Sequence, residues 1–166
     1  MLSKNIIKDL NQQIKMEAMA SQIYLSMACW AEEQGYEGVS TFLYGHAEEE
    51  RGHMLKIIKY INERGGGVVV PSLEAPQEDF ESLNNLFQML YDHEVKVSEN
   101  INELVFKSLQ EKDYATHNFL QWFVSEQVEE ETLAKTILDK IGLIGNDKGG
   151  LYLFDRDLKN ISSSVH

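Results

Sequence analysis

Both prolines of the chain, Pro71 and Pro76, and a run of three glycines, Gly65 to Gly67, fall in one stretch, GGGVVVPSLEAPQEDF. Proline and clustered glycine are the strongest local breakers of helix. Their confinement to one place leaves two long flanks in which nothing forbids continuous helix. In both flanks apolar residues recur at three- and four-residue steps, the spacing of one helical face and not the alternation of a strand. This spacing predicts helices over about 4–34 and 38–64 before the break, about 82–110 and 113–142 after it, and a short fifth over about 146–158. Ser3 and Asp113 stand where N-caps are needed, since their side-chain oxygens can accept the unpaired amide hydrogens of a first turn.

The connection lengths set the topology. The first and second helices, and the third and fourth, are joined by only a few residues, so each pair is expected to be an antiparallel hairpin. The central linker is roughly 16 residues and reaches about 50 Å when extended, more than the roughly 40 Å of the second helix. It can return the chain to the other end and set the third helix parallel to the second. The expected fold is all-α: a four-helix bundle over about residues 4–142 with one long crossover, the ferritin-like connectivity, plus the short C-terminal helix.

Each of the four inward stripes is apolar at its ends and ionisable in its middle. They run through Ile6, Leu10, Glu17, Tyr24 and Ala31; Val39, Leu43, His46, Glu50, His53, Ile57 and Tyr60; Leu83, Phe87, Leu90, Glu94, Val97, Ile101 and Leu104; and Phe123, Gln127, Glu130, Ala134, Ile137 and Ile141. In a bundle of similar-length hairpins the midpoints lie at one level, so Glu17, Glu50, Glu94 and Glu130 converge. Four carboxylates in a low-dielectric core would each cost several kcal/mol unless paired or protonated, and no inward Lys or Arg lies at that level. Two divalent cations match their charge. In Glu50-Arg51-Gly52-His53 the i, i+3 spacing turns both ligand side chains to one face, so both can reach one metal while Glu50 also bridges to a second. Oxygen-rich ligation with few histidines favours iron or manganese over structural zinc or copper.

The ferritin-like di-iron pattern places E-x-x-H on two helices. Here the fourth helix carries Gln127-Val128-Glu129-Glu130 instead, so the second metal lacks a histidine and is expected to be held more weakly. Glu126, Glu129 and Glu130 are i, i+3 and i+4 neighbours able to converge on one further cation.

The 166 residues fit one domain spanning residues 1–166, and 43% hydrophobic with 25% charged residues is ordinary for a globular chain. A net charge of −12 argues against nucleic acid and anionic membranes as partners and suits the attraction of cations. No apolar stretch approaches the length of a membrane span, and MLSKNIIKDL lacks the pattern of a signal peptide, which makes a cytoplasmic location the expectation. The single cysteine, Cys29, excludes an intrachain disulfide framework and a cysteine-rich metal site. His46 reads as a partner of a ligand or as a satisfied core histidine, Trp122 and Phe123 as core, and Gly45 and Gly52 as helix-weakening positions compatible with a close contact.

The chain resembles the bacterial non-haem ferritins along essentially its full length. The segments MLSKNIIKDLN, AEEERGH, YDHE, NFLQWFVSEQVEEE and IGLIGNDKGGLYLFD carry the likeness. The resemblance implies a ferroxidase that stores iron, with Glu17, Glu50 and His53 holding a first iron and Glu50, Glu94 and Glu130 a second, Gln127 and Tyr24 standing beside them. It implies a third iron site at Glu49, Glu126, Glu129 and Glu130. It implies Fe(II) and dioxygen as substrates, with hydrogen peroxide as another candidate oxidant, and storage as hydrated ferric oxide in a homo-oligomeric shell of 24 subunits. Haem is not expected: haem-binding members need a methionine directly after the bridging glutamate, and that position is Arg51.

Overall fold

The structure is a computed structural model and describes residues 1–161; residues 162–166 of the predicted domain lie outside the described residues. It consists of α1 (Lys4–Glu33), α2 (Glu37–Glu63), α3 (Leu83–Gln110), α4 (Tyr114–Ile144) and α5 (Lys148–Ile161), with no strand among the described residues. Ser3 Oγ accepts from the Ile6 amide at 3.1 Å, and Asp113 Oδ1 accepts from the Thr116 amide at 3.1 Å, so both expected caps form. Ser82, expected inside the third helix, is its cap: it accepts from the Asn85 amide at 3.1 Å. α4 runs through Gly142, where the sequence suggested its end, and stops at Gly145, whose φ of 60° only glycine adopts without strain.

Long-range contacts fix the directions of the helices. The crossover climbs beside α1: Asn11 Nδ2 donates to the Gly67 carbonyl at 2.9 Å and Asn11 Oδ1 accepts from the Val69 amide at 2.7 Å. Fifteen residues further along α1, Ser26 Oγ donates to the Gln77 carbonyl at 2.6 Å. α3 therefore starts at the far end of α1 and runs back along it, which brings Lys107 Nζ to 2.8 Å from Asp9 Oδ2. α3 is parallel to α2, as the linker length predicts. At the opposite end of α2, Arg64 reaches Asp113 Oδ1 at 3.2 Å and Tyr60 stacks on Phe119 with ring centroids 3.8 Å apart, tying the end of α2 to the start of α4.

The core is divided in two. One apolar cluster includes Met27, Val39, Leu43, Phe87, Leu90, Ile137 and Ile141; the other includes Ile6, Leu10, Ile14, Ile57, Val97, Ile101, Leu120 and Phe123. Buried Glu17, Glu50, His53, Glu94, Gln127 and Glu130 occupy the layer between them. The apolar ends supply the packing that keeps this layer buried.

α5 docks on the start of α2. Tyr36 gives that helix no side-chain cap, and Asp155 of α5 supplies one, its Oδ1 accepting from the Val39 amide at 2.8 Å. Gly38 permits this approach, because a Cβ there would lie 1.7 Å from the Asp155 carbonyl oxygen. Gly45 and Gly52 have no such reason: among the described residues nothing lies within 4 Å of a Cβ built at either, so no close contact accounts for them and nothing in the structure explains them.

Candidate metal centre

Glu17 projects from the middle of α1, Glu50 and His53 from successive turns of α2, and single ligand atoms from the three lie within 4.8 Å of one another. All three are buried. Glu17 Oε2, Glu50 Oε1 and His53 Nδ1 are inaccessible and have no hydrogen-bond partner. Buried polar atoms are almost always satisfied, so three potential ligand atoms without a hydrogen bond in one place are an exception that needs a cause. A cation is the group that accepts from all of them at once. His53 Nδ1 lies 3.4 Å from Glu50 Oε2 and 3.8 Å from Glu17 Oε2, while Nε2 faces Glu126 Oε1 at 3.8 Å. The two ring nitrogens thus address different carboxylates.

Across the bundle, Glu94 of α3 is gripped from both sides. Tyr24 Oη of α1 donates to its Oε1, and Gln127 Nε2 of α4 donates to its Oε2 at 3.1 Å and to its carbonyl at 3.2 Å. Glu130 Oε2 lies 3.0 Å from His46 Nε2, and His46, Glu49 and Glu130 form a second group whose ligand atoms fall within 4.8 Å. Both donor sets are carboxylate with one imidazole each, a composition that fits Fe(II).

The electrostatics are those of a crowded acidic layer holding protons where a cation would sit. Burial, then the charges of Glu17 and Glu94, push Glu50 well above the usual carboxylate range. Burial, then Glu130, raises Glu94 to about 7. Glu17 goes the other way: burial opposes its ionisation, but His53, Glu50 and Gln13 together outweigh burial and hold it below its ordinary value. Burial would lower His53, yet the adjoining Glu17 and Glu50 raise it to about 11. His46 is likewise raised, burial being outweighed by Glu130, and Tyr24 is raised well above its usual value by burial and Glu94. A divalent cation would displace several of these protons, so metal binding and proton release are coupled here.

Glu17, Tyr24, Glu50, His53, Glu94, Gln127 and Glu130 all come to one layer. The expected third set is only partly assembled: Glu49 lies beside His46 and Glu130, Glu126 faces His53, and Glu129 is exposed and joins neither group. His46, one turn before Glu50, stands among the carboxylates rather than apart from them. Gln13, whose Nε2 donates to Glu17 Oε1 at 2.8 Å, was not singled out in the sequence, although an amide one turn before a core glutamate is a readable signal. Trp122, read as core, is 39% exposed; it lies edge-on to His53, with ring centroids 5.3 Å apart, and carries Lys56 Nζ 3.7 Å over its face. Its neighbour Phe123 is buried as expected, the 100° step between them turning Trp122 outward.

The model of the ferritin-like domain matches residues 7–144. A bacterial non-heme ferritin of Campylobacter jejuni is 47% identical over 164 residues, covering 99% of this chain and 98% of that protein. One from Escherichia coli is 39% identical over 163 residues, covering 98% of this chain and 99% of that protein. Among solved structures, an open pore ferritin from the hyperthermophilic archaeon Archaeoglobus fulgidus superposes with a TM-score of 0.94 at 41% identity, covering 96% of this chain and 98% of the other.

Proposed function

Because the chain belongs to the ferritin family and is built for iron storage, we propose that it also oxidises the Fe(II) that it stores, using dioxygen at the buried carboxylate layer. The observation that carries this reading is the convergence of Glu17 Oε2, Glu50 Oε1 and His53 Nδ1, buried and without hydrogen-bond partners, in the middle of the bundle. Fe(II) is the substrate. Glu17, Glu50 and His53 take a first ion; Glu50, Glu94 and Glu130 take a second. Each Fe(II) gives up one electron, and dioxygen accepts the pair together with two protons to leave hydrogen peroxide.

The chain's own groups have separable tasks. Tyr24 and Gln127 hold Glu94 from opposite sides, so that the carboxylate meets an arriving ion already oriented. Protons held on Glu50 and Glu94 leave as Fe(II) arrives. The second ion's proposed ligands, Glu50, Glu94 and Glu130, include no histidine, His46 standing behind Glu130 as its partner, and a weaker hold there favours release of oxidised product. Glu49, Glu126, Glu129 and Glu130 supply a third stop for iron on the way to storage. The oxidised iron is kept as hydrated ferric oxide inside a homo-oligomeric shell of 24 subunits in the cytoplasm, and hydrogen peroxide is an alternative oxidant. Among the described residues no helix is long and apolar enough to cross a bilayer.

Aerobic addition of Fe(II) to the purified protein, followed by measurement of particle size and iron per chain, tests the reading. A large shell that accumulates far more iron than its ligands can hold is the expected result. A small species holding no more than about two or three irons per chain would overturn it and favour a redox enzyme on the same bundle.

A further inference from the structure

Gln13 is buried one helical turn before Glu17 on α1, and the two side chains point into the same layer. Its Nε2 donates to Glu17 Oε1 at 2.8 Å. Its Oε1 is inaccessible and has no partner. The orientation of the amide is therefore fixed by the carboxylate alone: turned over, it would set oxygen against oxygen in a site of low dielectric, where no solvent screens the repulsion. The consequence falls on Glu17. One carboxylate oxygen is occupied by the amide, and the other, Oε2, is left unpartnered on the side of His53 Nδ1, 3.8 Å away.

We propose that Gln13 is a positioning residue that makes Glu17 a one-oxygen ligand, reserving Oε1 for its amide and presenting only Oε2 to the first metal ion. The inference rests on the metal-centre reading above. A carboxylate released from such a partner can rotate and chelate one ion through both oxygens, which changes coordination number as well as affinity. Of the two polar atoms of the amide, only Nε2 is engaged, and its partner is Glu17; Oε1 has no protein partner, so the carboxylate is what the amide serves. Partners of this kind typically hold about 10–100-fold of a metal site's affinity.

Co(II) is the probe, because its visible absorption weakens as its coordination number rises. In Gln13→Leu and Gln13→Met, which keep most of the volume, Co(II) should bind the first site roughly 10–100-fold more weakly and with a less intense visible band. The thermal midpoint of the metal-free protein does not decide the matter, since both variants remove one unsatisfied oxygen but also leave Glu17 Oε1 without its donor. Glu17→Ala is measured beside them. If Glu17→Ala binds Co(II) as the unaltered protein does, the metal-centre reading itself fails. If Glu17→Ala loses the site while either folded Gln13 variant keeps affinity and band unchanged, the Gln13 inference fails and the site stands. A merely structural Gln13 would leave the Co(II) band and affinity where they were whatever the thermal midpoint does, which also overturns the proposal.

Discussion

His46 Nε2 lies 3.0 Å from Glu130 Oε2 although the residues are 84 positions apart, and the same ring turns Nδ1 toward Glu49 Oε2 at 3.8 Å. One imidazole thus stands between a carboxylate proposed for the second iron and another proposed for the third. Replacing it with leucine keeps bulk and removes both contacts. His46→Leu should weaken the second and third metal sites by roughly 10–100-fold while leaving the first unchanged. Anaerobic titration with Fe(II) reads this as a drop in tightly bound ions per chain; loss of the first site as well would show that the groups are not separable.

Glu94 and His53 belong to different halves of the layer, yet removal of either should disable the same reaction. In the proposed reaction the electron pair that dioxygen takes comes from two ions held together, so one intact half-site should give no fast step. Glu94→Ala and His53→Ala are expected to slow the initial phase of Fe(II) oxidation by more than the roughly 10–100-fold that loss of a ligand's partner costs. The assembly should survive, because the apolar clusters on either side of the layer are untouched. Stopped-flow absorbance checks the rate and light scattering the particle size. Unchanged initial rates in both variants would refute the assignment.

The architecture was legible because its determinants are local. Helical spacing, one proline-glycine break and linker lengths decide which helices are hairpins, and these survive any detail of side-chain rotation. The carboxylates were legible for a related reason, since each interrupts an otherwise apolar stripe. What escaped notice depends on distant partners or on rotation of a helix by one step. His46 could be read as ligand partner or as core until Glu130 was placed beside it. Trp122 faces outward because Phe123 faces inward: the inward stripe already runs through Phe123, and reading its neighbour as core too asked one helical face to hold two positions 100° apart. Gln13 sat on the inward side of α1 as an ordinary polar residue until its hydrogen bond to Glu17 gave it a task.

The docking of α5 gives a prediction about stability. Gly38→Ala puts a methyl carbon where the Asp155 carbonyl oxygen lies, and backbone on both sides leaves little room to yield. Overpacking of this kind costs about 1–3 kcal/mol. Asp155→Ala removes only the cap on the Val39 amide, worth about 1 kcal/mol. Urea unfolding at fixed protein concentration should therefore rank Gly38→Ala below Asp155→Ala and both below the unaltered protein. Equal loss in the two would mean that the cap, and not the close approach, holds α5 in place.

The protons of the metal layer predict how the metal-free protein responds to pH. Glu94 is raised from 4.5 to about 7 by burial and then by Glu130, and Glu50 is raised well above its ordinary value by burial and then by Glu17. A group that binds its proton more tightly when folded stabilises the fold fully below its unfolded pKa, and loses that contribution as pH rises through the folded value. His53, raised to about 11, begins to lose its contribution only above 6.5 and so does not reverse the trend. Stability of the metal-free protein should fall between pH 4.5 and about 7, by on the order of a few kcal/mol, and Glu94→Gln should flatten that slope. With saturating Zn(II) the sign inverts, because the cation replaces the protons and is bound more tightly as they leave. Unfolding midpoints across this window, with and without Zn(II), check both halves of the statement. A metal-free midpoint that rises from pH 4.5 to 7 would mean that Glu94 is already ionised in the folded chain and that its charge is compensated by something other than a proton.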